Sequence, residues 1–424
     1  MCLKWLLRSM ILFVCCWVFW GCGSSNGTLP GTTLGPGPSS QPPGTSGLDA
    51  SSPGQGVPPD STPSQPGSDS TPANPGPTAN PKVCKPSDYG FPARRTGDEA
   101  SQGKPVPPEQ CPAVCTLGCF GKTCKIEGKT RATAICPDGW NCDVICRGDY
   151  SCSQVKCGDR ACNVICVGER SCGRVDCKYA SSCNVQCLGT SSCQVALCNE
   201  HNTCHVQCLG EGTCFRGVTC GTGPCKVLVD DGSRGEPTNI RATYAGGGVD
   251  CSRASACDVL CLSYQSCRND ITCGPGTCNI QCRGESSCWQ GRLTCGKGKC
   301  LIDCGGPARE KDCKTNRRDP LASNCGYTCS SMPSCGESSS CQIQCRGNRS
   351  CRSGATCGKG NCDIYCSGEN SCWQGFLDCK GAKRCGVCCT GAESCRMYSS
   401  LSRMLPGTRC KPLTPSDYGR CKHE

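Results

Sequence analysis

Cysteine is the residue type here with the most chemistry to offer, and its spacing is regular. The chain holds 56 Cys in 424 residues, with 55 Gly, 30 Pro, three His and 5% aromatic residues. Thiols at this density either bind soft metals as thiolates or close as disulfides. Structural zinc sites favour C-x2-C pairs with His, whereas here the recurring unit is C-x3-C-x5-C and the only histidines are His201, His205 and His423. The expectation is therefore disulfides, no metal and no cofactor. Cysteine far above the level that marks a disulfide scaffold, with so few aromatics, also excludes an ordinary globular enzyme. The net charge is +11, but the sequence pI is only about 8.3. That pI counts every Cys as a titrating thiol, which a bridged Cys is not.

Other candidate groups are sparse. Trp289 and Trp373 both follow the third Cys of their units in an identical Cys-Trp-Gln-Gly context, and Phe215 takes the same place after Cys214. Aromatics shown on a rigid frame stack on sugar rings or on partner surfaces, and they equally serve to cover a corner. Basic residues gather in the later units, among them Arg283, Arg292, Lys297, Lys299, Arg346, Arg349, Arg352 and Lys359. They read as a positive strip for an anionic partner, with a solvated surface as the plainer account. Two Cys-poor insertions, 226–250 and 305–324, leave the pattern as long loops, and the second carries Arg317 and Arg318. Loops of this kind on a scaffold often carry recognition. Arg147-Gly148-Asp149 has the form of an adhesion tripeptide, but Arg283-Gly284-Glu285 and Arg346-Gly347-Asn348 fill the same place in other units, so Arg-Gly belongs to the repeat. His201 and His205 read as a surface pair. No nucleophile elbow, zinc-protease helix motif or phosphate loop is present. The expectation is a non-catalytic protein with no small-molecule substrate.

The elements that position these residues follow from the repeat. Units begin at Cys115, Cys142, Cys162, Cys183, Cys204, Cys225, Cys257, Cys278, Cys300, Cys325, Cys341, Cys362 and Cys385, with a period of 20 or 21 residues that is clearest from Cys142 to Cys225. Cys, apolar, Cys at alternate positions, as in Cys142, Val144 and Cys146, is a strand pattern with one face inward, while Asp143, Asn163, Asn184 and Asn279 face outward. Gly two residues after the second Cys supplies a corner, and Ser or Thr precedes the third. A second short strand ends at the fourth Cys, as in Val155-Lys156-Cys157. Two strands and two corners make one coil. The fold expected is all-β: a disulfide-stapled β-solenoid of about 13 short coils, roughly 60 Å long at a strand spacing of about 4.8 Å. A string of separate disulfide-knotted beads is the alternative.

One unit suggests connectivity. The Cys225 unit has Val229 in place of its second Cys and also lacks a third. Joint loss implies that second and third cysteines pair: Cys146 with Cys152, Cys166 with Cys172, Cys187 with Cys193, Cys208 with Cys214. The fourth is then left for the next first. The units at Cys300 and Cys325 each lack a fourth Cys. Cys84, Cys111, Cys388 and Cys421 lie outside the pattern.

The remaining segments concern export. Lys4 and Arg8 precede an apolar or small run, Ser9 to Trp20, too short to span a bilayer and followed at once by Gly, Ser, Pro and Thr. The division expected is a signal at 1–21, a disordered tether at 22–81, an N-terminal cap at 82–114, the array at 115–410 and a C-terminal cap or tail at 411–424. About 60 tether residues reach roughly 45 Å. Pro-Ser-Asp-Tyr-Gly occurs at both 86–90 and 415–419, as a shared cap element or a duplicated stretch.

Phe19-Trp20-Gly21-Cys22 resembles a bacterial lipobox, though Phe19 stands where Leu is usual and Trp20 where a small residue is usual. The resemblance implies that Cys22 carries diacylglycerol. Signal, tether and array together resemble the Cys-rich repeat lipoproteins of myxobacteria and other predatory or soil bacteria, a group that carries over no activity. The resemblance implies a lipid-anchored protein of the cell envelope, at the outer membrane or cell surface. From this comes the functional expectation of a structural or adhesive lipoprotein whose partners are the membrane, through its lipid, and a polysaccharide or another surface protein, with no nucleic acid. The alternatives are a secreted toxin-like protein or hydrolase inhibitor, and an exported metal-sequestering protein.

Overall fold

The computed structural model describes residues 103–198, 203–231, 246–284, 286–305, 328–391 and 393–395. Cys22, the tether, both Pro-Ser-Asp-Tyr-Gly segments, Arg317 and Arg318 lie outside the described residues. What is described is a β-solenoid. In one coil, the long strand Asn141–Cys146 leads through a corner to the short strand Gln154–Lys156, and a second corner leads to the next long strand, Ala161–Cys166. Pairing is parallel and in strict register, with Cys142 on Cys162, Val144 on Val164 and Cys146 on Cys166. The same first-Cys to first-Cys register carries on through Cys362 on Cys385.

The long strands form a 13-stranded sheet whose first member runs antiparallel and whose other twelve run parallel, giving eleven turns from one to the next. At about 4.8 Å per turn the stack is roughly 50 Å long. The short strands form an 8-stranded sheet from Thr133–Ile135 to Leu293–Thr294. Single bridges through Ser334 connect it to the pair Gly354–Thr356 and Phe376–Asp378.

Among the described residues, two of the thirteen expected units do not form coils of their own, and one unexpected coil appears. Cys115 does not open a coil. It bonds to Cys124, while Cys111 bonds to Cys119, so the C-x3-C spacing at Cys115 belongs to a closing hairpin. The strand Thr123–Glu127 is the true first coil, with Cys124 on Cys142. Its outer edge is covered by antiparallel Cys119–Phe120, in turn bridged to Pro105, which removes an open sheet edge. At the other site, the units read as starting at Cys300 and Cys325 are one coil. Cys304 bonds to Cys329 across the 305–324 insertion, and Cys335 supplies the fourth Cys to Cys341. The insertion had divided one unit into two apparent ones.

The disulfides run as two ladders, one on each corner of the coil. Second and third cysteines pair in the first: Cys146 with Cys152, Cys166 with Cys172, Cys187 with Cys193, Cys208 with Cys214, and onward to Cys389 with Cys395. Fourth and next-first cysteines pair in the second, from Cys136 with Cys142 to Cys379 with Cys385. Neighbouring bridges touch, with sulfurs of Cys157 and Cys177 3.6 Å apart and those of Cys335 and Cys362 3.7 Å apart. Between the ladders lies a thin aliphatic core in which Val144, Val164, Val185, Val206 and Ile280 join Val155, Val175, Ala196 and Ile271. Disulfides thus supply the corners of a core too thin to hold the coil alone.

The corner glycines act differently from the expectation. Gly168 and Gly189 are not at positive φ; a Cβ on either would enter the carbonyl of the glycine one coil below. They are needed for close approach between coils. Left-handed backbone falls instead on non-glycine residues: every corner-ladder third Cys, with φ from 45° at Cys193 to 57° at Cys395, and residues such as Tyr150, Arg170 and Asn370. The Ser or Thr before the third Cys is buried, and Ser171 and Thr213 donate their hydroxyl protons to the Gly168 and Gly210 carbonyls at 2.8 and 2.7 Å.

Candidate functional site

The residue after each third Cys emerges from the first ladder onto one stripe, one residue per coil. Along the later coils the stripe reads Phe215, Gly247, Arg268, Trp289, Ser330, Arg352 and Trp373. Backbone bonds keep it stacked: the amides of Gly247, Ser353 and Gln374 donate to the carbonyls of Cys214, Ser330 and Arg352. The sequence thus placed Phe215, Trp289 and Trp373 correctly as equivalents. What it missed is a period of three coils, aromatic then small then Arg, that occurs twice. The signal was present in Cys267-Arg268 and Cys351-Arg352, and in the fact that both small-residue coils are the ones with insertions.

Each period holds a shallow cleft between its aromatic residue and its Arg. The first, about 460 Å³, lies between Phe215 and Arg268 over Gly246, with Asn269 and Gln290 on its rim. The second, about 540 Å³, lies between Trp289 and Arg352 over Ser330, with Gln374 and Phe376 on its rim. In the first, Arg268 Nε donates to Gln290 Oε1 at 2.6 Å; in the second, Arg352 Nε donates to Gln374 Oε1. The Arg268 guanidinium also sits 5.6 Å from the centre of the Trp289 ring, so Trp289 meets the first arginine and lines the second cleft. Trp289 is 36% exposed and Phe215 41%. Trp373 is half-buried and lines neither cleft; its indole Nε1 is buried without a partner.

The other sequence candidates fare variously. The positive strip is largely neutralised where it is densest. Arg283 and Arg346 turn from opposite sides onto the buried carboxylate of Asp303, with Arg283 at 2.6 Å and Arg346 Nε at 2.9 Å. Lys359 pairs with Glu337 at 2.9 Å and, with Lys297, holds that carboxyl below its ordinary range. Asp149 of the Arg-Gly-Asp segment accepts the Glu169 amide of the next coil at 2.9 Å, so it is part of the stacking. His205 lies in the outward ladder Asn184, His205, Lys226, Asp258. Burial, and then Lys226, lower its pKa from the ordinary 6.5. Burial raises that of Asp258 against the pull of Lys226 and Asn279.

Sulfur triplets close enough to hold an ion include Cys136, Cys157 and Cys162, from adjacent bridges of one ladder, and Cys111, Cys115 and Cys119, from the two bridges of the N-terminal hairpin. In a disulfide these sulfurs are not thiolates and make poor ligands. Among the described residues no helix is long and apolar enough to cross a membrane. No family model, curated protein or solved structure matches the chain.

Proposed function

We propose that the chain is an exported lipoprotein of the bacterial cell envelope, anchored through Cys22 and held off the membrane by its tether, whose solenoid is a non-catalytic rod for structure or adhesion. The observation that carries this is the pair of disulfide ladders, the first interrupted at the Cys225 coil and the second unbroken from Cys136 to Cys385. Bridges stacked in this number are characteristic of an oxidising compartment, and they make a rigid support for exposed side chains. The clefts are shallow and open, and support binding better than catalysis, which needs groups withdrawn from water.

Intact mass of the protein extracted from cell envelopes, with and without alkylation before and after reduction, tests this reading. Expected are a diacylglycerol mass on Cys22, essentially no alkylatable thiol before reduction, and proteolytic resistance of the array that reduction abolishes. Many free thiols with bound metal would overturn it in favour of metal sequestration. Inhibition of a hydrolase lost on a deletion confined to the 226–250 or the 305–324 insertion, sparing the strands Pro224–Val229 and Val249–Cys251, would favour the inhibitor.

A further inference from the structure

We propose that the two clefts are equivalent subsites for one anionic polysaccharide chain lying along the rod. This deepens the adhesive reading of the previous subsection and rests on it. Each cleft joins three chemistries that an acidic sugar uses together. An aromatic ring, Phe215 or Trp289, offers a flat apolar face to the C–H side of a pyranose. A guanidinium, Arg268 or Arg352, offers the planar fork that matches a carboxylate or sulfate. Amide and hydroxyl groups, Gln290 and Asn269 in one and Gln374 and Ser330 in the other, match ring hydroxyls. The Gln that grips each Arg through Nε also fixes its direction.

Repetition points to a polymer. The clefts recur after three coils, about 14 Å at the parallel-strand spacing. A rigid support with equivalent sites at fixed spacing suits a chain with a repeating unit, which occupies both at once. A folded protein partner would cover a continuous face of about 800 Å² on each side, and these are two small clefts of mixed polar and apolar lining separated by the Arg268–Trp289 pair. Single-stranded nucleic acid stacks successive bases on closely spaced aromatics, and here the aromatics stand three coils apart. The net charge of +11 favours an anionic ligand in general.

The test is titration calorimetry on the full-length oxidised protein. The probes are oligogalacturonates of increasing length, with uncharged cello-oligomers, poly-glutamate and oligo-dT for comparison. Expected are binding of the uronate oligomers only, and a gain in affinity once an oligomer spans both clefts. Arg268→Gln and Arg352→Gln should each weaken binding about tenfold, the loss of one charge-assisted pair, and each should abolish the gain with length. Trp289→Ala should act like Arg352→Gln. Arg160→Gln, an exposed arginine in the opposite corner paired with Asp159, should change nothing. Resistance of each variant to protease without reductant verifies its fold. The proposal is overturned if cello-oligomers bind as well, if Arg160→Gln weakens binding as much as the cleft variants, or if poly-glutamate or oligo-dT binds more tightly. Absence of binding by a fully bridged, lipidated protein would sink the glycan subsites and leave the structural rod standing, whereas free thiols would remove the rod itself.

Discussion

At the scale of residues, one missing bridge explains how the corner works. Val229 stands in the register of the second Cys, opposite Cys208 and Cys261. The amide of Gly246 donates to the Thr213 carbonyl, as the Cys193 amide donates to that of Ser171, which places Gly246 at the third-Cys position. Every third Cys of the ladder has left-handed φ, and Gly246 shares it at 77°. Left-handed backbone costs a non-glycine residue about 1 kcal/mol. With a bridge the cross-link holds the residue there; without one, glycine accepts the conformation and valine fills the space. Hence the double variant Val229→Cys with Gly246→Cys should close a new bridge, adding about 3 kcal/mol for a loop of this size. The readouts are zero alkylatable thiols in the double variant and one in Val229→Cys alone. Titration offers a second case in His205. Its folded pKa lies below its unfolded one, so its contribution is fully present above pH 6.5 and is lost as pH falls through the folded value. His205→Asn should therefore leave the urea midpoint at pH 7 little changed and reduce its fall on acidification to pH 5. An equal fall in both proteins would show that other groups govern acid stability.

At the scale of the element, the coil was legible in the sequence because two periods coincide. Alternation over Cys142, Val144 and Cys146 gave the strand and its inward face, and the 20- or 21-residue period gave lateral register. Misreading came where spacing mimics a strand without its neighbours. Cys115-x3-Cys119 and Cys325-x3-Cys329 have the right interval, but only pairing partners distant in sequence decide whether a strand forms there. The outward face also departs from simple alternation. Ile145, Ile165, Gln186 and Leu228 face away from the core yet are buried, and Leu228 and Leu260 pack with the corner residues Leu209 and Leu262. Corner glycine gives a prediction that separates close approach from conformational freedom. A Cβ at Gly189 strikes the carbonyls of Gly168 and Val167, while at Gly148 its nearest neighbour is Ser151 Cβ at 4.0 Å. Gly189→Ala should cost about 2 kcal/mol through forced separation of coils, and Gly148→Ala almost nothing. Hydrogen exchange at Leu188 and Gly189, whose amides both donate to the Cys166 carbonyl, reports the opening locally. Equal protection in the two variants would return the glycine to a conformational role.

At the scale of the whole molecule, the solenoid is a sum of coils and interfaces between neighbours, so it should tolerate loss of whole coils and not of fractions. The three-coil period makes this a functional statement. Deleting 204–277 removes the coils of Cys204, Cys225 and Cys257 and sets the Cys278 coil on that of Cys183. The new interface is well matched: Asn184 meets Asn279, Val185 meets Ile280, Gln186 meets Gln281 and Cys187 meets Cys282, and Cys198 meets Cys278 as its new bridge partner. Phe215 and Arg268 leave with the first cleft, while Trp289, Ser330 and Arg352 keep the second. The shortened chain should export, form every bridge and resist protease as the parent does. It should bind short oligogalacturonate with an affinity close to the parent's and gain nothing from longer oligomers, because only one subsite remains. A deletion ending at 266 breaks register, placing the corner where a strand should start, and should yield free thiols and rapid proteolysis. If the in-register deletion also exposes thiols, the coils are not interchangeable units. If it folds and still gains affinity with oligomer length, the second contact lies elsewhere on the rod, and the three-coil period belongs to packing alone.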